Sequence, residues 1–196
     1  MSITSTVISL HKLCWLSLMA AGIGVTALFP LFIGPVPITL QDCLIIGCGV
    51  FLGPKDGAKA VALYILAGCI GLPIFSGGRG GIAHLLGPTG GYLLGFIFLA
   101  FCTGLTAYTP FQRNNPFRWI YLSCGCILGY FGVFSIGALW IAYTLNVPLA
   151  TALVIGVIPF LPVTLLKLLI LFIGLYLFYP QIYHVIPYAS SKNTFS

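Results

Sequence analysis

The chain has 196 residues, 60% of them hydrophobic and 5% charged, with a mean hydropathy of +1.12. A water-facing domain needs far more charge to cover its surface, so this composition excludes a soluble protein and predicts a single all-α transmembrane domain over 1–196. The formal charge of +6 would suggest nucleic acid in a soluble chain; here it reads as the cation excess of cytoplasmic loops, with lipid as the surrounding partner and no nucleic acid.

Glycine and proline divide the apolar sequence into six predicted spans, 13–33, 41–53, 57–72, 88–110, 118–145 and 160–182. At about 1.5 Å per residue the first run is as long as a bilayer core is thick, too long for the apolar part of a typical signal peptide, and so reads as a retained helix. It carries small residues at four-residue spacing, Ser17 with Ala21 and Ala20 with Gly24, a pattern that lets helix backbones approach closely. The second and third runs are short, and the turn between them reads Gly53-Pro54-Lys55-Asp56-Gly57. Between the third and fourth runs lies a glycine-rich connection, Phe75 to Phe96, FSGGRGGIAHLLGPTGGYLLGF, carrying Arg79. From Pro148 to Ile182 one uninterrupted helix would overshoot the bilayer; Pro159 and Pro162 break it, which predicts a short outer helix over 149–158.

Charge then orients the bundle. With the N-terminus in the cytoplasm, Lys12, Lys55, Lys59, Arg113, Arg118 and Lys192 all fall on the cytoplasmic side, which puts both termini there. The remaining cations are Arg79, in the outer connection, and Lys167, at membrane depth in the sixth span, where an ionisable residue marks a functional site. Of the two acids, Asp56 sits in the cytoplasmic turn and Asp42 opens the second span, where the helix dipole favours a carboxylate and where it is the acid able to reach Lys167. Gln41, Asp42, Arg79, Thr164 and Lys167 thus converge on the outer half. They predict a pocket for a small anion with a further polar group, Arg79 supplying a two-pronged grip on a carboxylate. Gly78 and Gly80, beside Arg79, let the loop fold over a ligand and offer it backbone N–H groups.

Several readings drop out. Gly78-Arg79-Gly80-Gly81-Ile82-Ala83 satisfies a dinucleotide-binding expression, but no strand precedes it. No phosphate-loop run is present, so the chain does not itself hydrolyse ATP. His11, His84 and the seven cysteines lack the spacing of a metal site, so neither metal nor cofactor is expected. No nucleophile–base pair or paired carboxylates occupy the outer half, which argues against an enzyme and assigns no catalytic residue.

Gly34-Pro35-Val36-Pro37-Ile38-Thr39-Leu40-Gln41, Leu52-Gly53-Pro54-Lys55-Asp56-Gly57, GGRGGIAHLLGPTGGYLLGF, and Pro159-Phe160-Leu161-Pro162 with Lys167, taken in order, resemble the BioY family. These are the biotin-specific substrate-binding (S) components of energy-coupling-factor (ECF) transporters, and the resemblance runs over about residues 12–182. It implies a six-helix bundle in a bacterial cell membrane that binds biotin from outside at high affinity, with loops after the first and third helices lidding the ligand. Transport would need a coupling membrane subunit and ABC-type ATPases. The alternative is a stand-alone carrier for biotin or another small carboxylate.

The resemblance implies that Arg79, between the glycine pairs of the loop, meets the ligand's carboxylate, and that Lys167 serves the ureido ring. Where the family usually has P-G-D before the lysine, this chain has Pro162-Val163-Thr164, and Leu93 follows the G-G-Y where some members carry a basic residue. Thr164 can accept a ureido N–H, without the charge of a carboxylate. Asp42 is the candidate that takes over the missing charge, with Gln41 the next acceptor. Tyr92 is the aromatic expected to stack on the ligand, ahead of Phe75, Trp140 and Phe160. The small-xxx-small residues of the first helix would dock the coupling subunit.

Overall fold

The apolar runs fold as helices, the form that satisfies every backbone polar group within one segment where water is excluded. The computed structural model describes residues 3–32, 37–108 and 118–182. In chain order the elements are α1 (Ile3–Ala27), β1 (Leu31–Phe32), β2 (Pro37–Ile38), α2 (Gln41–Cys69), α3 (Ile82–Leu86), α4 (Gly90–Tyr108), α5 (Arg118–Leu145), α6 (Leu149–Gly156) and α7 (Phe160–Ile182). Among the described residues four helices are long and apolar enough to cross a membrane: α1, α4, α5 and α7.

α4, α5, α6 and α7 lie close to the predicted bounds; α1 does not. It begins ten residues before the expected start and stops at Ala27, because Pro30 has no N–H to donate and excludes the helical conformation from the residue before it. The segment beyond forms a short antiparallel ladder, Leu31 opposite Ile38 and Phe32 opposite Pro37. Gly34 and Pro35, with Arg113 and Lys192, lie outside the described residues.

The two short runs form one kinked element. Gly53 has φ 80° and ψ 176°, a conformation that side chains resist, and the chain reverses there. The reversal is tight: a Cβ on Gly57 would lie 2.7 Å from the Cys48 carbonyl oxygen. Pro54, Lys55 and Asp56, expected in a turn, already belong to the second arm, where Pro54 heads the helix and loses no bond by lacking an N–H. The hairpin is the centre of the bundle, packed by α1 and α4; α4 packs α5, and α5 packs α6. α7 joins chiefly by side chains, Phe172 and Tyr176 lying 6.1 and 6.0 Å from the Trp119 ring.

The bundle has two distinct ends. At one, Asp56 is held by Lys12 of α1 at 2.5 Å and Lys59 at 3.1 Å. At the other, the Gly77 N–H donates to Ala27 O and the Gly81 N–H to Gly68 O, which pins the glycine-rich loop across the tops of α1 and α2. α3, which the sequence did not disclose, is one short turn within that loop. Large apolar side chains such as Leu165, Leu169 and Ile173 of α7 and Ile127 and Phe131 of α5 point outward, a surface suited to lipid.

Candidate functional site

Three helices bring their scarce polar groups together at the loop-bearing end. Lys167 of α7 donates from Nζ to Asp42 Oδ2 at 2.6 Å and to the Thr39 carbonyl at 2.9 Å. The Tyr130 hydroxyl of α5 donates to the same Oδ2 at 2.7 Å. Asp42 and Lys167 are 5% and 8% exposed, a depth at which either charge alone would be costly, so each requires the other. The head of α2 adds its own N–H dipoles to the carboxylate's support. One oxygen is left over: Asp42 Oδ1 is buried and has no partner.

The cluster forms one end of a cavity of about 410 Å³, counted to its open mouth. Thr39, Asp42, Tyr130, Thr164 and Lys167 supply polar lining, while Tyr92, Phe96, Val133, Phe134 and Phe160 supply an apolar wall. A second cavity of about 330 Å³ shares Thr39, Tyr92 and Phe96 with the first and adds Gln41, Ser76, His84, Thr89 and Leu93. The two cavities adjoin across these shared residues and together form a cleft region with a charged pole and a neutral polar pole. At the neutral pole Gln41 Oε1 and Ser76 Oγ are also buried without partners, and Thr89 Oγ1 lies 3.3 Å from His84 Nε2.

Tyr92 divides and joins the two halves. Its hydroxyl donates to the Gly156 carbonyl at 2.6 Å, and its ring lies 6.2 Å from that of Phe160. The ring fits because two neighbours lack side chains: a Cβ at Gly137 would stand 2.5 Å from the ring, and one at Gly156 2.5 Å from the hydroxyl. His84 stacks on Phe75, with ring centroids 5.1 Å apart. Burial, and then the positive charge of Arg79, hold its imidazole below the ordinary value of 6.5.

Of the residues singled out in the sequence, Asp42, Thr164, Lys167 and Tyr92 line the charged cavity and Gln41 the other. Arg79 lines neither. It is exposed on the loop, and its backbone carbonyl, not its guanidinium, is engaged, accepting from the Phe75 N–H at 2.8 Å. The expected grip by Arg79 and Lys167 together is therefore not assembled, because the loop's bridge between Phe75 and Arg79 turns the arginine outward. Gly78 and Gly80 shape this loop instead of lining the cleft: Gly78 has φ +74°, and a Cβ on Gly80 would lie 2.5 Å from Leu72 O. Phe75 is buried between Tyr64 and His84, and Trp140 donates its indole N–H to Gly87 O, so neither faces the cleft.

Tyr130, Phe96, Phe134, Thr39, Ser76, His84 and Thr89 were not anticipated as lining. Tyr130 lies in a run of apolar residues with nothing to mark it; Thr89, inside the G-P-T-G-G-Y run, offered the clearest signal. Among the described residues no three His, Cys, Asp or Glu side chains gather as a metal site requires. On α1, Ala20 and Gly24 are buried in the bundle, Gly24 against Ile74, while Ser17 and Ala21 face outward. That separates the two small-residue pairs.

The chain is 36% identical over 151 residues to a probable biotin transporter BioY of Pyrococcus horikoshii, covering 77% of this chain and 85% of that one. It is 36% identical over 161 residues to the biotin transporter BioY of Thermotoga maritima, covering 82% and 91%. Its fold matches the crystal structure, at 2.1 Å, of the S-component for biotin from an ECF-type ABC transporter, with a TM-score of 0.72, 31% identity, and coverage of 87% of this chain and 90% of that one. The model of the BioY family matches residues 2–183, and the chain belongs to that family.

Proposed function

We propose that this chain is the biotin-binding membrane subunit of an ECF-type transporter and not an enzyme. The observation that carries the reading is the Lys167–Asp42–Tyr130 cluster, with its unpaired Asp42 Oδ1, at the end of an aromatic-walled cleft. A ureido ring presents two N–H donors and one carbonyl acceptor. Asp42 Oδ1 takes one N–H, the Thr164 hydroxyl the other, and the Lys167 ammonium faces the carbonyl. Tyr92, Phe96, Phe134 and Phe160 enclose the bicycle. The carboxylate that the family usually places three residues before the lysine has moved to α2, which explains how Thr164 can stand there.

The arms of the α2 hairpin, with α1, α4, α5 and α7, make six crossings. Lys12, Lys55 and Lys59 gather at the end away from the cleft, a cation excess that supports a reading with that end and both termini in the cytoplasm and the cleft facing outward from a bacterial inner membrane. The segments after α1 and α2 lid the ligand. With no phosphate-loop run in its sequence, the chain would take its energy from a coupling membrane subunit and ABC-type ATPases, which would meet α1 at the outward pair Ser17 and Ala21.

Equilibrium dialysis of the detergent-purified chain against labelled biotin, followed by uptake into liposomes containing the chain alone, tests this. The expected result is one biotin per chain and no concentrative uptake. Failure to bind biotin overturns the reading; concentrative uptake by the chain alone overturns its dependence on ATPases and favours a stand-alone carrier.

A further inference from the structure

The charged pole accounts for the ring of the ligand and leaves the neutral pole, with its two unpartnered buried atoms, unassigned. The family resemblance puts the ligand's acid at the loop end, which here is the pole formed by Gln41, Ser76, His84 and Thr89; we propose that His84 takes up a proton when the acid arrives. The inference rests on the biotin reading above.

Electrostatics decides the orientation. A carboxylate at the charged pole would face Asp42 Oδ1, two negative oxygens without a proton between them. At the other pole it meets the hydroxyls of Ser76 and Thr89, the carboxamide of Gln41, which can turn its NH2 inward, and the His84 ring. Thr39, Tyr92 and Phe96 line both halves, so one extended molecule reaches from pole to pole. Arg79 acts from above as a positive field felt by His84 and not as a wall of the cleft.

The charged and titratable groups about His84 are few. Arg79 lies on the same loop; Tyr92 of α4 spends its hydroxyl proton on Gly156; Tyr64 of α2 stands behind Phe75; Asp42, next to Gln41, is paired with Lys167. In the protein by itself burial and Arg79 favour the neutral ring. A carboxylate beside the ring supplies a counter-charge and favours imidazolium, so the complex binds one more proton than its separated parts. The sign follows: affinity for the acid rises as pH falls, until His84 is protonated in the free protein as well.

The test is titration of the full-length protein with biotin and with its uncharged carboxamide. It runs from about pH 8 to about pH 5.5, a range in which an aliphatic carboxyl stays ionised. Wild-type affinity for biotin should rise by up to about tenfold per pH unit within the window, while that for the amide stays level. In His84→Gln the rise should vanish and the preference for acid over amide should fall by about tenfold, a favourable charged contact being worth about that factor. Amide binding by the variant shows that it is folded. An unchanged pH profile and acid-to-amide ratio in His84→Gln would overturn this inference alone. If wild type binds neither compound, the biotin reading falls and takes this inference with it.

Discussion

Lys167 and Asp42 are 125 residues apart in the chain and 2.6 Å apart in the fold, and both are buried. Among the described residues the pair is a buried ionic tie between α7 and α2, so under the proposed reading it would serve structure and ligand at once. Removing one partner leaves an uncompensated charge at a depth where this costs about 3–5 kcal/mol, whereas removing both costs much less. Asp42→Ala should therefore lower the unfolding temperature in detergent and abolish biotin binding. Asp42→Ala with Lys167→Met should recover most of the unfolding temperature and none of the binding. Restored binding in the double variant would show that the pair only holds α7 in place.

Tyr130 donates to the same carboxylate oxygen as Lys167, and Oδ1, left without a partner, is the atom proposed to meet the ligand. Tyr130→Phe keeps the ring and removes the donor, freeing Asp42 to swing. A hydrogen bond to a charged group contributes about 1.5–3 kcal/mol, so biotin affinity should fall by about tenfold or more, with a smaller change in unfolding temperature. Isothermal titration of the variant measures the first and thermal unfolding the second.

Tyr92 keeps its place because Gly156 has no side chain. In Gly156→Ala the new methyl would lie 2.5 Å from the Tyr92 hydroxyl and 2.6 Å from Ile141 Cδ1, so the ring must move into the cleft. Biotin affinity should fall by at least about tenfold, the size of a lost buried contact. Gly174→Ala on α7, where a Cβ meets nothing within 4 Å, should leave affinity unchanged and stabilise the helix by up to about 1 kcal/mol.

The two small-residue pairs of α1 should part company. Ser17→Leu with Ala21→Leu adds bulk to an outward face, so purified protein should bind biotin normally while the complete transporter loses uptake in cells. Gly24→Leu should instead destabilise the subunit itself, since even a Cβ there stands 3.2 Å from Ile74 Cβ. Normal uptake by the Ser17→Leu/Ala21→Leu variant would remove this face from the docking surface.

The bundle was legible because its signals were of opposite kinds: long apolar runs, cut by clusters of proline and glycine at which a helix ends or kinks. The charged pole was legible because ionisable residues are so few; once Asp56 was placed with the lysines at the other end, Asp42 was left for Lys167. The neutral pole was not. Ser76, His84 and Thr89 are commonplace polar residues in a loop, and their convergence depends on how glycines at positive φ fold that loop onto Gly68 and Ala27. The side-chain direction of Arg79 was not legible either: its charge marked the glycine-rich loop, but in the fold the loop pairs Phe75 with Arg79 and leaves the arginine side chain exposed. Tyr130 carried no signal, since one hydroxyl on an apolar helix is indistinguishable in sequence from an interfacial tyrosine.

A structure of the biotin complex tests the central claim most directly. It should place a ureido N–H about 3 Å from Asp42 Oδ1, the ring carbonyl toward Lys167, and the acid at the pole of Ser76, His84 and Thr89. The ring at the loop pole, or biotin outside the cleft with the Asp42–Lys167 pair facing no ligand, would contradict it.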